Sequence, residues 1–374
     1  MKVTYCSYAI QEELLDKLYT KGNKPGYQTQ TFNRAIIEGI RNNGVEIISD
    51  SNIPVSKALM DCTFKAVDNN DIYEYHPIIN IPLVKDICIL VSTYFKMKKR
   101  FKDKEWVGMG DILSIPNNLG AALAARYTNT PYVGIVTDVP ELIETNKLYL
   151  WMINKVISLC THYVFLTEPM NELINKEHKP YTIVEGLCSL YPLTHPERLK
   201  AFVYTGSLDE FNGTPALIDA FLKLDTDHEL HFYGNGKYAE ELKKICAEHS
   251  NIKYFGMIPH SEMTSKIQEA SFLINPRSLS DPQIRYSFPS KTFDYLSSGT
   301  PVISTRLPCY TEEYKEVMNF FDGDDVDSLH EGLKRMLDTD YNELLNKAAK
   351  ARAFIEENKT NTAQAIKILD MLKG

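Results

Sequence analysis

The chain has 374 residues, enough for two domains of ordinary size, and its 44% hydrophobic and 24% charged residues belong to a globular protein rather than a disordered one. A net charge of −8 argues against non-specific nucleic-acid binding, and no apolar run reaches the length of a membrane span. Seven scattered cysteines without a C-x-x-C pair indicate reduced thiols in a cytoplasmic protein and no zinc site.

From the N-terminus, Met1-Lys2 leads into a first strand at residues 3–8 rather than a signal peptide. A helix is expected over 28–42 and a strand over 45–49. The continuous apolar run at 86–91 fits either a strand or the start of a helix. Asp111-Ile-Leu-Ser-Ile reads as a strand and 119–127 as an alanine-rich helix. Strands are expected again at 131–136, 163–166 and 181–186. The proline-bearing LYPLTHPERLK, residues 190–200, reads as a connection between domains.

A fresh alternation starts at AFVYTGS, residues 201–207. A helix over 215–223, the strand and glycine turn of HELHFYGNG, a helix over 238–249, the strand IKYFGMI, a helix over 261–270 and the strand SFLINP follow. Next is SFPSKTFDYLSSGTPVIS, residues 287–304. Pro289 suits the first position of a helix, Ser287 or Phe288 its cap, and Gly299 with Pro301 its end. Phe293 and Leu296 would face a core, with Lys291, Asp294, Tyr295 and Ser298 on another face. A helix start with free N–H groups, a serine and a lysine suits an anion such as phosphate; an ordinary capped surface helix is the alternative. This order of elements predicts an α/β protein with two doubly wound, Rossmann-like domains facing a central cleft. The expected boundaries are 1–190, a linker at 191–200, 201–350, and a terminal helix over 351–374 that crosses back to the first domain.

FVYTGSLDEFNGTPALIDAF, HFYGNG, IKYFGMIPHSEM and SFPSKTFDYLSSGTPVIST occur in the order found in GT-B glycosyltransferases, and the chain most resembles the family 4 retaining enzymes. The resemblance covers residues 200–305 and, more weakly, the first half. It implies that a nucleotide diphosphate-sugar, UDP- or GDP-linked, binds the second domain. The helix after Pro289 would point residues 287–291 at the diphosphate, its dipole contributing roughly 0.3–1 kcal/mol. Asp294 would hold the ribose hydroxyls, and Gly206, Gly256, Ile258, Phe288 and Ser290 would line the donor. The pattern departs from the family at three positions: Tyr286 replaces the first glutamate, and Ser207 and Asn212 replace the two phosphate-binding cations. Asp281 is the expected substitute for the glutamate, and Arg277, Arg285 and Lys291 for the cations, because a diphosphate leaving group needs positive charge as its bond breaks.

In the first half the resemblance places a glycine loop in KGNKPGYQTQ on the acceptor side, with Gly22, Gly26 and Tyr27; a plain flexible loop is the alternative. Asp138, in VTDVP, follows a buried strand and suits a group that orients or deprotonates an acceptor hydroxyl, or else an N-cap for the Pro140 helix. The catalytic residues expected are thus Asp138 and Lys291. KMKKRFKDK, from Lys96 to Lys104, is a solvated helix face or a patch against anionic lipid, with Phe95, Met97, Phe101 and Trp106 dipping into the interface. DGDDVD, residues 322–327, reads as a turn and cap, and GNG at 234–236 is no dinucleotide fingerprint.

The expected function is a metal-independent retaining glycosyltransferase without cofactor, cytoplasmic or peripheral on the inner face of a membrane. It would act on a glycan or lipid-linked glycan in polysaccharide biosynthesis, with no nucleic-acid partner. A nucleotide-sugar epimerase of similar fold and a non-catalytic GT-B subunit bound to a partner transferase are the alternatives.

Overall fold

The structure is a computed structural model and describes residues 1–19, 26–54, 63–81, 83–194 and 197–373. The chain divides into two compact units, Met1–Leu187 with Asn361–Gly374, and Cys188–Thr360.

Unit 1 is built on strands β1 (Lys2–Ser7), β2 (Glu46–Ser51), β4 (Tyr73–Tyr75), β6 (Trp106–Asp111), β7 (Tyr132–Val136), β8 (His162–Phe165) and β9 (Tyr181–Ile183). All pair in parallel, in the order β4-β2-β1-β6-β7-β8-β9. A separate antiparallel pair joins β3 (Phe64–Lys65) to β5 (Ile78–Ile79). The helices are α1 (Glu12–Leu18), α2 (Tyr27–Asn42), α3 (Val84–Arg100), α4 (Ile115–Thr128), α5 (Pro140–Ile143), α6 (Lys147–Leu159) and α7 (Glu168–Ile174). β6 and β7 are buried at every residue, as expected of parallel strands covered on both faces. The ambiguous run at 86–91 lies inside α3. Residues 111–115, expected as a strand, are instead the last residue of β6, a three-residue turn and the first residue of α4. Gly110 explains why β6 runs earlier: a Cβ there would sit 1.5 Å from Asn118 Oδ1, so glycine lets α4 close on the strand.

Unit 2 holds β10 (Leu199–Thr205), β11 (Glu229–Tyr233), β12 (Ile252–Tyr254), β13 (Ala270–Asn275), β14 (Val302–Thr305) and β15 (Asn319–Phe321). They form one parallel sheet in the order β12-β11-β10-β13-β14-β15. Its helices are α8 (Thr214–Leu222), α9 (Ala239–Glu248), α10 (His260–Glu269), α11 (Lys291–Ser297), α12 (Val326–Asp338) and α13 (Tyr341–Asn358). One core cluster includes Phe202, Phe221, Phe232 and Leu333, and a second includes Phe288, Phe293, Tyr310 and Tyr314. Ala351 and Ile355 are buried in the second cluster, so α13 stays with this unit and the boundary falls at 360/361 rather than 350/351. The last helix, α14 (Asn361–Met371), packs on α2 of unit 1. A Cβ at Gly39 would lie 2.2 Å from the Asn361 carbonyl oxygen, so this docking needs a glycine.

Candidate functional site

In an open parallel sheet, ligands bind beyond the carboxyl ends of the strands where the strand order reverses. In unit 2 that point lies between β10 and β13. Gly206 (φ +130°) follows β10 and Gly234 (φ +136°) follows β11, both in a backbone region that side chains disfavour. A Cβ on Gly234 would lie 1.9 Å from the Gly206 carbonyl oxygen, so the two turns touch backbone to backbone. Gly234 N–H donates to Gly256 (φ +69°) at 2.8 Å, which aligns the turn after β12. Beside it Phe255 stacks on Tyr233 at 4.8 Å, while Met257 is exposed and Ile258 packs on the core.

Lys291, at the start of α11, covers Gly206. Its Nζ lies 3.0 Å from the position of a Cβ on that glycine and 4.1 Å from the centre of the Tyr204 ring. The lysine stem is partly exposed, but Nζ is buried and makes no hydrogen bond within the protein. Burial lowers the Lys291 ammonium to about 7; the positive charge of Arg277 pushes the same way, and Asp209 opposes.

The expected substitute cations differ in how their charge is met. Arg277 pairs with Asp281 at 2.6 Å, so its charge already has a partner. Arg285 is exposed, its guanidinium 5.7 Å from the Tyr286 ring. Ser207 Oγ donates to Asp209 at 2.8 Å, and Asn212 donates to the same carboxylate through its backbone N–H at 2.9 Å and Nδ2 at 2.9 and 3.0 Å. The two positions that lack cations are thus tied together by Asp209, and its carboxyl is held below its ordinary range, burial opposing these hydrogen bonds.

The start of α11 differs from the expected one. Pro289 is not the first helical residue: α11 starts at Lys291, after Ser290. Thr292 N–H donates to Pro289 and Phe293 N–H to Ser290, a tighter first turn. Ser287 Oγ caps nothing and is buried without a hydrogen bond. The Phe288 side chain belongs to the core, stacked on Phe293 at 5.0 Å. Asp294 is partly exposed; burial raises its carboxyl to about 6, with His260 opposing.

A buried polar network sits at the same end of the sheet. Asn275 Nδ2 donates to Ser304 Oγ at 3.1 Å and to the Tyr310 hydroxyl at 3.3 Å, and Tyr310 meets Thr292 Oγ1 at 2.9 Å. Asn275 Oδ1 and Thr305 Oγ1 make no hydrogen bond within the protein. With Ser287 Oγ and Lys291 Nζ, four buried polar atoms are therefore unsatisfied around the ends of β13 and β14 and the start of α11. Each costs about 1–3 kcal/mol if left so, and such concentrations favour a polar ligand. A cavity of about 520 Å³, lined by Arg198, Gln268, Arg352 and Glu356 among others, lies instead at the far end of α11. Its arginines are already bonded, Arg198 to Gln268, Ala270, Gly299 and Thr300, and Arg352 to Ser297 and Tyr191.

No group of three or more metal-ligating side chains occurs among the described residues. In the Asp-rich loop Asp325 caps α12, Asp322 pairs with Arg335 at 2.9 Å, and Asp324 accepts from Ser278 Oγ and Leu279 N–H.

In unit 1 the strand order reverses between β1 and β6. There the structure brings out a residue that the sequence reading missed, Asp111. It is buried, accepts from Leu113 N–H at 3.1 Å and Asn33 Nδ2 at 3.2 Å, and is raised to about 6, chiefly by burial, with the charge of Asp138 adding. Asn33 in turn accepts from the Tyr5 hydroxyl. Asp138 is partly exposed and accepts from Thr137 Oγ1 at 2.9 Å. It is not an N-cap: Val139 holds that position before α5. Gly26 precedes α2, which starts at Tyr27; Gly22 and the Tyr27 side chain lie outside the described residues.

Three of the four apolar residues expected to dip from the basic block into an interface are turned inward, and two of its cations are paired. Met97, Phe101 and Trp106 are buried in unit 1. Lys96 pairs with Asp50 and Glu74, and Arg100 with Glu74 at 2.5 Å. Phe95 remains exposed.

Residues 200–339 match the family model of glycosyl transferases group 1. Across the whole chain the fold matches HepE of Anabaena in complex with UDP, at TM-score 0.67 and 10% identity, covering 100% of both chains. The chain has the GT-B glycosyltransferase fold. It is similarly close to sucrose-phosphate synthase of Thermosynechococcus elongatus, at TM-score 0.67 and 12% identity, covering 100% of this chain and 98% of that one. The lipopolysaccharide outer core galactosyltransferase WaaB, in its apo form, matches at TM-score 0.66 and 14% identity, covering 100% and 99%. No curated protein sequence matches the chain.

Proposed function

We propose that the protein is a glycosyltransferase that moves a sugar from a UDP- or GDP-linked donor to a glycan or lipid-linked glycan, with retention and without a metal ion. The observation that carries this reading is the buried, unbonded Lys291 ammonium above Gly206 at the reversal point of unit 2. HepE, of the same fold, is seen in complex with UDP, which supports a nucleotide diphosphate as the ligand. Lys291 and the neighbouring Ser287 hydroxyl would hold the diphosphate, and Asp294 the ribose. As the bond from the sugar's anomeric carbon to the phosphate oxygen breaks, the ammonium meets the charge gathering on the leaving group, the role a metal fills elsewhere. The acceptor oxygen forms the new bond to that carbon and loses its proton to the departing phosphate.

Incubation with a panel of UDP- and GDP-sugars, with and without glycan acceptors, tests the reading by product analysis. Transfer that depends on acceptor supports it. An epimerised donor formed without acceptor, or no binding of any donor, contradicts it.

A further inference from the structure

The outer side of α3 carries Val84, Ile87, Val91 and Phe95 at helical spacing, all exposed, Ile87 and Phe95 at 63%. On α6 Leu148 and Trp151 are exposed too, Trp151 at 60%. The helices are neighbours, since the Tyr149 hydroxyl of α6 reaches Asp86 of α3 at 3.4 Å. An exposed apolar surface of this kind marks an interaction site.

We propose that this face docks on an anionic lipid bilayer. Charge decides the occupant. The α3 stripe continues at the same spacing into Lys99, Lys102 follows in the turn after the helix, and Lys147 and Lys155 stand one turn either side of Trp151, all four exposed. No acidic residue occupies the stripe positions, although the chain carries a net −8. Asp86 is turned to Tyr149, and Asp103 accepts from Glu105 N–H in its own loop. A second copy fits poorly, because a two-fold contact through this face would bring its lysines against the same face of the partner. The apolar part of α3, from Val84 to Phe95, is about 16 Å long, half the thickness of the hydrocarbon core, so the helix lies along the surface and does not cross it. The inference is independent of the chemistry proposed for unit 2.

The test uses the full chain with vesicles of phosphatidylcholine alone and of phosphatidylcholine mixed with phosphatidylglycerol, read by co-sedimentation and tryptophan fluorescence. The chain has two tryptophans, and Trp106 is only 8% exposed, so Trp151 is the reporter. Binding to the anionic vesicles with a blue shift is expected, the shift being lost in Trp151→Phe. Ile87→Ser with Phe95→Ser should lower partitioning on the order of tenfold or more. Lys99→Gln and Lys102→Gln should each lower it about fivefold, in the anionic vesicles only. Circular dichroism of the variants separates lost docking from lost fold. Absence of binding to both vesicles, or unchanged binding of folded Ile87→Ser/Phe95→Ser, would overturn the proposal. So would a dimer in solution that these serines dissociate, which would assign the face to a second copy.

Discussion

Lys291 and Arg277 are neighbours by charge but differ in their surroundings. Arg277 is already paired with Asp281, whereas Lys291 has no acceptor. Lys291→Ala should therefore weaken donor binding by about 1.5–3 kcal/mol, the value of a charge-assisted hydrogen bond, and Arg277→Ala by less. Calorimetry on both variants reads the difference; equal losses would mean that the Arg277–Asp281 pair opens for the donor. Asp111 makes a prediction about stability. Its folded value near 6 lies above the ordinary 3.8, so between those values the folded protein holds more protons than the unfolded chain. Its burial penalty is present above about pH 6 and fades as the pH falls toward 4. Denaturant melts of wild type and Asp111→Asn should change relative to each other across that window, the wild type losing ground as pH rises. A pH-independent difference would show that the carboxyl is ionised throughout.

The glycine turns belong to the scale of elements. Gly234→Ala forces a Cβ to 1.9 Å from the Gly206 carbonyl oxygen, whereas a Cβ on Gly256 meets nothing within 4 Å. Gly256→Ala should cost about 1–2 kcal/mol for its positive φ alone. Gly234→Ala should cost more, and should also weaken donor binding, because it displaces the turn beneath Lys291. Thermal melts with and without donor check both. Much of unit 2 was legible for related reasons: its strands are short apolar runs ended by glycine turns, and Gly299 and Pro301 mark the end of α11. The start of α11 was less so, since Pro289 suits a first helical position but here accepts the Thr292 N–H just before the helix. β6 was misplaced because Gly108 and Gly110 dilute its apolar pattern, and Asp111 was then read as opening a strand that it closes. The burial of Lys291 was not legible at all, because Tyr204 and Gly206 reach it from β10, far away in sequence. The inward pairing of Lys96 and Arg100 was hidden likewise, as Asp50 and Glu74 come from other strands.

At the scale of the whole molecule, both sheets carry polar groups at the ends of their central strands, Lys291 beside β10 and Asp111 at the end of β6, and the two units are linked by chain that crosses twice. If the charge of a leaving diphosphate is met by Lys291, transfer should survive chelation. Complete loss of activity in EDTA with recovery on adding manganese would place a metal where the lysine is proposed to act. The most direct measurement is calorimetric titration of wild type and Lys291→Ala with UDP- and GDP-sugars, below and above neutral pH and in buffers of different ionisation enthalpy. A sugar diphosphate favours the charged lysine, so a group near 7 in the free protein must take up a proton on binding. The expected result is saturable binding that weakens as pH rises above 7, with proton uptake in wild type that Lys291→Ala abolishes along with most of the affinity. Equal affinity in the two proteins, without proton uptake in either, would contradict the site.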